Sequence, residues 1–343
     1  MFGLILFFQD RPKIEIRILI DRPPNTLSAS QNPDGMARKI LPLLIEGHYQ
    51  LSQSSTLEDF YLIPGRSDEP KLHFMVARDD LARGILFEEG KVDVLFDTLS
   101  LSKTNWFKEQ DRSVLESEGF HLSYLGFNLK DPILGNSAVR EAISLALPID
   151  AWVKYKYFGW VSRSPDAPPL PDLARARRLL DSAGYPAPSQ GPRFHLSYLT
   201  TPVREGNELA LLTREALKQI DIAVDVIPLE TSLFFSRLKK GDFELFGARI
   251  MRTSNEESIA EYLKSSGLKN YFSYLNGALD NELQKNPELP WNQAKKYVLQ
   301  DRPFIPLFVW KHGLLLSSRV KFRGSGAFQS DDSFRFLTEL QLK

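Results

Sequence analysis

The sequence predicts an α/β protein built from two domains. Three observations carry that expectation. The chain has 343 residues with 43% hydrophobic content, enough to bury a core in each of two ordinary domains. Period-two strands alternate with amphipathic helices, and a strand-helix-strand unit occurs once in each half of the chain. Turn formers punctuate these elements at the spacing of βαβ connections.

The segment "IEIRILI" (14–20) alternates apolar and charged residues, the signature of a half-buried strand. A turn-rich loop, "PPNTLSASQNPDG", follows, then a short helix in "MARKILPLLIEG" that ends at Gly47, with Pro42 limiting its N-terminal turn. "KLHFMVA" (71–77) reads as a strand. "RDDLARGILFEEG" reads as a helix with Leu81, Ile85 and Leu86 as its apolar face and Gly90 as its stop, and "KVDVLFD" returns to strand. Strand, helix, strand over this span implies a partly parallel sheet.

The second unit begins with the basic helix "ARARRLLDSAGY" (174–185), closed by Gly184, and the strand "RFHLSYLT". "GNELALLTREALKQI" (206–220) places Leu209, Leu212, Ala216, Leu217 and Ile220 on one helical face before the strand "AVDVIPLE". "SLFFSRLKKGDFELFGARI" adds a short helix, a turn at Gly241 and a strand. "NQAKKYVLQDRPFIPLFVWKHGLLLS" adds a helix, a Pro-bounded turn and a long apolar strand. At the N-terminus the apolar run from Phe2 to Phe8 is too short for a membrane span. It reads as a buried strand, the alternative being the remnant of an export signal that starts upstream.

Several function classes are disfavoured. Lys plus Arg (43) balance Asp plus Glu (43), so no global field favours nucleic acid or an anionic membrane. Cysteine is absent, which excludes disulfides, a thiol nucleophile, a thiolate zinc site and the acylated cysteine of a lipoprotein. His48, His73, His121, His195 and His312 are dispersed, with no HxH or HExxH pair to hold a metal. "GSG" at 324–326 is not part of a phosphate loop, no GxSxG elbow occurs, and the adjacent carboxylates Asp79-Asp80, Glu88-Glu89 and Glu256-Glu257 read as solvated faces. No enzyme, cofactor or metal is expected. Tyr271, Phe272, Tyr274, Trp291, Phe304, Phe308 and Trp310 crowd the last quarter; they suit either a binding cleft or a core, and the period-two pair Phe308 and Trp310 favours packing.

The order of the pieces says more than any one of them. "EEGKVDVLFD", "YLGFNLKDPILGNSAVREAISLALPID", "ARARRLLDSAGYP", "LKQIDIAVDVIPLETSLFFSRLKKGDFELF", "NYFSYLNGALDNEL" and "QDRPFIPLFVW" occur in that sequence between about residues 71 and 322. This series resembles the peptide/nickel-type (family 5) extracellular solute-binding proteins of ABC transporters. The resemblance implies a periplasmic-binding-protein-like fold of type II, with two α/β lobes joined by a hinge that closes on a peptide or similar solute. It places the first lobe at 1–126 plus 306–343 and the second at 127–305. It also implies a monomer located in the periplasm or otherwise outside the cytoplasm, an ABC permease as partner and no nucleic acid.

Two departures stand out. The family inserts an extra domain after its first helix, whereas "IEGHYQLSQSSTLEDFYLI" runs straight on, so that domain is expected to be missing and the cleft more open. The family's "GW..DY.DP" is replaced by "ARIMRTSNEES", with Ile250 at the Trp position and Thr253 at the Asp position. Arg249 and Arg252 stand nearby, so an anionic ligand group is possible in place of a cationic one. The expected ligand contacts are Asn128, Arg249, Met251, Arg252, Thr253, Asn270, Tyr271 and Tyr274. Arg140 and a Ser137 helix cap are expected to be structural. The competing expectation is a degenerate member kept as a ligand-sensing or protein-interaction module.

Overall fold

The computed structural model describes residues 15–53, 55–66, 69–110, 112–251, 259–324 and 333–343; the N-terminal apolar run lies outside them. In chain order the first elements are β1 (Glu15–Ile20), α1 (Gly35–Ile45), β2 (Tyr49–Leu51), β3 (Asp59–Pro64), β4 (Lys71–Val76), α2 (Asp80–Glu88), β5 (Val94–Phe96), α3 (Leu101–Glu109) and β6 (Ser113–Phe127). Next come α4 (Ser137–Ala146), α5 (Ile149–Ala151), β7 (Val161–Arg163), α6 (Leu173–Ser182), β8 (Phe194–Thr200), α7 (Arg204–Lys218), β9 (Ile222–Pro228), α8 (Thr231–Lys240) and β10 (Leu245–Met251). The chain finishes with α9 (Ile259–Leu263), α10 (Gly277–Lys285), α11 (Trp291–Asp301), β11 (Phe304–Leu316), β12 (Val320–Phe322) and β13 (Leu340–Leu342). Two compact units result, Met1–Gly119 with Lys311–Lys343, and Phe120–Trp310. The chain passes between them inside β6 and inside β11; the boundaries expected at 126/127 and 305/306 fall within those same two strands.

In the first unit the strand order is β2-β3-β4-β1-β5, with the end of β11 beside β5. β1 runs parallel to both β4 and β5, so α2 carries the chain across β1 from one neighbour to the other. The alternation in β1 decides which residues go where. Ile16, Ile18 and Ile20 enter a core with Phe60, Phe74, Met36, Ile40, Phe334 and Phe336, while Leu19 packs in a second cluster with Phe87, Phe107 and Leu315. Helix α1 is capped by Asp34, whose carboxylate accepts from the Ala37 amide at 2.8 Å, and it continues through Pro42 to Ile45. Burial of Met36, Ile40, Leu41 and Leu43 outweighs the backbone bond that Pro42 removes.

Helix α2 departs from the expected pattern. Leu81 and Ile85 are exposed, and the buried face is Arg83, Gly84 and Phe87. Arg83 donates to the carbonyls of Ala77 and Arg78 at 2.7 and 2.9 Å and lies 3.5 Å from the Asp80 carboxylate, and Gly84 lies close under the Lys103 side chain. The acidic neighbours Asp79 and Asp80 are also engaged: Asp79 caps α2, and Asp80 accepts from the backbone and hydroxyl of Ser100. A buried carboxylate, Asp93, ties the unit together, accepting from the Arg17 backbone and guanidinium, the Ser317 hydroxyl and Arg319 at 2.9–3.2 Å.

In the second unit β6-β10-β8-β9 lie side by side, and β7 pairs with the first part of β11. β8 is parallel to both β9 and β10, while β10 is antiparallel to β6. The β8-α7-β9 pair is the βαβ unit read from this half of the sequence, and α8 then carries the chain across β8 from β9 to β10. Tyr124, Phe234, Phe243, Phe246, Phe272 and Phe304 anchor the core. The junction after β6 is held by polar contacts. Asn136, not Ser137, caps α4, because its carbonyl oxygen reaches the Ala138 amide at 3.0 Å. Arg140 is buried and donates to the carbonyls of Leu134, Gly135, Asp301 and Arg302, the structural tether expected of it.

Candidate functional site

A cavity of about 410 Å³ opens within the second unit. Its floor comes from two antiparallel strands in which Ser123 of β6 faces Arg249 of β10 and Tyr124 faces Ala248. Trp310 of β11 donates its indole N–H to the Ser123 hydroxyl at 2.7 Å, and the Arg249 guanidinium lies 4.0 Å from the Trp310 ring centre. A cation against an indole face is an attractive arrangement that fixes both side chains.

Trp310 is itself supported by local backbone geometry. A π-helical turn, Trp152–Lys156, continues α5, and Phe158 and Gly159 both take positive φ. This brings buried Tyr157 to 4.8 Å from Phe308 and 5.5 Å from Trp310. Phe308 and Trp310 therefore do both jobs left open by the sequence: they pack on Tyr157, and they line the cavity. Gly247 is needed on the same floor, since a Cβ there would collide with the Tyr198 hydroxyl.

The walls are aromatic. Helix α8 presents Phe234, Phe235 and Leu238, with Phe235 exposed toward the opening. The loop after α9 brings Tyr271 to 6.3 Å from the rings of Phe235 and Phe246. Lys269 sits on the same rim, bridged to Glu261 at 3.1 Å and 5.2 Å from the Tyr262 ring. The mouth carries exposed Val203 and Phe235. Among the described lining residues there are two cations and no Asp or Glu.

The expected contact residues separate into groups. Arg249 and Tyr271 line the cavity. Met251 ends β10 opposite His121, and Arg252 and Thr253 lie outside the described residues. Asn128, Asn270 and Tyr274 are absent from the cavity lining, and their polar groups are engaged in the scaffold. Asn128 donates to the carbonyls of Gly241 and Phe243 at 3.1 and 2.8 Å and accepts from the Lys130 amide. Asn270 donates to the carbonyls of Lys264 and Tyr274 and accepts from the Tyr274 amide, pinning the loop that presents Tyr271. Tyr274 is buried and donates to Asp301 at 2.6 Å; burial, followed by the Asp301 carboxylate, pushes its hydroxyl pKa up.

Sequence reasoning passed over Phe234, Phe235, Ser123 and Tyr124. One signal was available: two adjacent phenylalanines in "SLFF" exceed what one buried helix face absorbs. Among the described residues no group of three or more His, Asp or Glu side chains could hold a metal ion, and no helix is long and apolar enough to cross a membrane.

No curated protein matches the chain. Solved structures match it in fold. The ABC transporter substrate-binding protein CtaP from Listeria monocytogenes is 19% identical, with 86% of this chain and 66% of that one covered at a TM-score of 0.74. NikA from Brucella suis, solved with Fe(III)-EDTA, is 17% identical over 86% of this chain and 68% of its own, at 0.71. The oligopeptide-binding protein AppA from Bacillus subtilis, solved with a nonapeptide, is 16% identical over 86% and 66%, at 0.65. The fold is that of type II periplasmic binding proteins, and the chain spans about two thirds of the length of these structures. The profile of bacterial extracellular solute-binding proteins, family 5 Middle, matches residues 58–269, more than half of the chain. Members of that family bind peptides or nickel for ABC transporters and work in the periplasm or elsewhere outside the cytoplasm. A βαβ-built second unit with an aromatic cavity, and a profile match that runs through it, lead to one conclusion: the chain belongs to the family 5 bacterial extracellular solute-binding proteins.

Proposed function

We propose that this protein is a non-catalytic binder of a peptide or peptide-like solute, held in the cavity of the second unit and passed to an ABC transporter permease outside the cytoplasm. The observation that carries the reading is the cavity itself: a concave, mostly aromatic site with a few placed polar groups suits capture of a small organic solute. In this reading Trp310, Tyr271 and Phe235 supply stacking area, and Ser123 and Arg249 supply orientation. Asn128, Asn270 and Tyr274 hold the walls and do not touch the solute. The protein acts as a monomer.

Thermal-shift screening of the full chain against short-peptide libraries tests the proposal. Ligands that bind only the folded protein raise its unfolding midpoint. At least one peptide class should do so, and Tyr271→Ala should reduce the shift. No shift with any class would overturn the reading. A second reading is favoured by the threonine, Thr253, at the position of the family's acid: a module that senses a solute or binds a protein without feeding a permease. Native mass spectrometry separates the two, since a transport protein should release a co-purified small solute and an interaction module should be empty and bind a protein.

A further inference from the structure

We infer that the cavity of the second unit takes an uncharged apolar side chain of the solute, up to the size of an aromatic ring, and that Ala248 sets that size. The inference rests on the assignment of that cavity as the binding site, and it adds which kind of side chain enters and which residue measures it.

Alternate residues of a strand share one face of the sheet, and along one face β10 reads Phe246, Ala248, Ile250: large, small, large. Phe246 and Ile250 are buried in the core with Phe234 and Leu238, whereas Ala248 between them is half-buried and lines the cavity. A methyl between two large side chains leaves a notch in that face. Rings stand around it. Tyr124 faces Ala248 across the β6 register and lies 5.8 Å from Phe246, and Tyr271 lies 6.3 Å from both Phe235 and Phe246. Protein interiors are filled to crystal-like density, so a gap of this kind in a cavity wall is room for a guest.

The walls decide its polarity. Burial and edge-to-face contact with these rings favour an apolar or aromatic group. No described lining residue is acidic, so an ammonium side chain would lose its water there without a lining carboxylate to receive it. Neither lining cation is needed for this selection. Lys269 bridges Glu261 at 3.1 Å, and Arg249 leaves β10 on the face opposite to Ala248 and packs 4.0 Å from the Trp310 ring centre. The notch thus selects by shape and apolar burial. A larger residue at 248 would put its added carbons where the guest sits, and glycine would deepen the space.

The test titrates the tripeptides Ala-Phe-Ala, Ala-Lys-Ala and Ala-Ala-Ala calorimetrically into the full chain. Ala-Phe-Ala should bind at least about tenfold more tightly than Ala-Ala-Ala, as expected for burying one ring, and Ala-Lys-Ala no more tightly than Ala-Ala-Ala. Ala248→Leu should bring the Phe-to-Ala affinity ratio down to about twofold or less in a chain that unfolds cooperatively. Ala248→Gly, which adds no volume to the sheet, should move the preference from Ala-Phe-Ala toward Ala-Trp-Ala. Ratios unchanged in both variants overturn the role of Ala248, and Ala-Lys-Ala binding as tightly as Ala-Phe-Ala overturns the selection for apolar groups. Equal binding of Ala-Phe-Ala and Ala-Ala-Ala, with both weakened by Tyr271→Ala, overturns the whole inference and leaves the site in place. Binding untouched by Tyr271→Ala, or no binding of any peptide, overturns the site reading and this inference with it.

Discussion

Two regions of the second unit use the same residue types for opposite ends. At the junction between β6 and α4, Asn128 and Arg140 are buried and their donors point at backbone carbonyls. At the cavity, Arg249 and Tyr271 lie more openly against aromatic rings. The difference teaches how to tell a scaffold residue from a cavity-lining one when residue type is silent. A polar side chain saturated by main-chain groups is committed to the fold, whereas one on the cavity lining borders the space that a solute would enter.

The comparison breaks first at Arg140. Replacing it with Met leaves the carbonyls of Leu134, Gly135, Asp301 and Arg302 without their buried donor and should destabilise the protein by about 3–5 kcal/mol, read from urea unfolding. A loss under about 1 kcal/mol would remove Arg140 from the scaffold. Asn128→Ala and Tyr271→Ala form the sharper pair. The first should lower stability by about 1–3 kcal/mol and leave solute affinity within about twofold. The second should weaken solute binding about tenfold, equivalent to about 1.4 kcal/mol. A large affinity loss in Asn128→Ala would return that residue to the binding site.

Gly247→Ala probes the cavity floor. The added methyl meets the Tyr198 hydroxyl, so a loss of about 1–3 kcal/mol is expected, and Tyr198→Phe in the same chain should restore most of it. Lack of rescue would place the strain elsewhere. The gentlest effect is a pH slope from the first unit. Burial tends to raise the Asp93 pKa, but hydrogen bonds from the Arg17 side chain and backbone and from Ser317, with the Arg17 charge, hold it below the ordinary 3.8. The folded protein thus binds this proton less readily than the unfolded chain. The stabilisation is fully present above about pH 4 and is lost as the pH falls through the folded value. Acid unfolding of Asp93→Asn should lack that component of the slope; an unchanged slope would assign it to other carboxylates.

Much of the fold was legible in the chain because it depends on local periodicity. The alternation in β1 and in "RFHLSYLT", the amphipathic face of α7 and the glycine stops at 90, 184 and 241 all correspond to observed elements. The face of α2 was not legible. A leucine and isoleucine face looks buried by composition, yet Arg83 finds carbonyls and Gly84 admits Lys103, so the helix turns another side inward. The cap at Asn136 was missed for a smaller reason: Asn and Ser cap almost equally well, and only the geometry of the amide chooses between them.

The lining of the candidate site was half legible. Arg249 and Tyr271 were expected contacts and line the cavity, but Asn128, Asn270 and Tyr274 were indistinguishable from them by type. The sequence by itself determined the α/β class, the parallel βαβ units and the aromatic stock from which a site could be made. Tertiary structure alone decided which aromatics became wall and which became core. Sequence patterns report neighbours three or four residues apart on a helix and two apart on a strand. The cavity joins Ser123, Phe235, Arg249, Tyr271 and Trp310 because β6, β10 and β11 meet out of chain order, and no local period encodes that meeting.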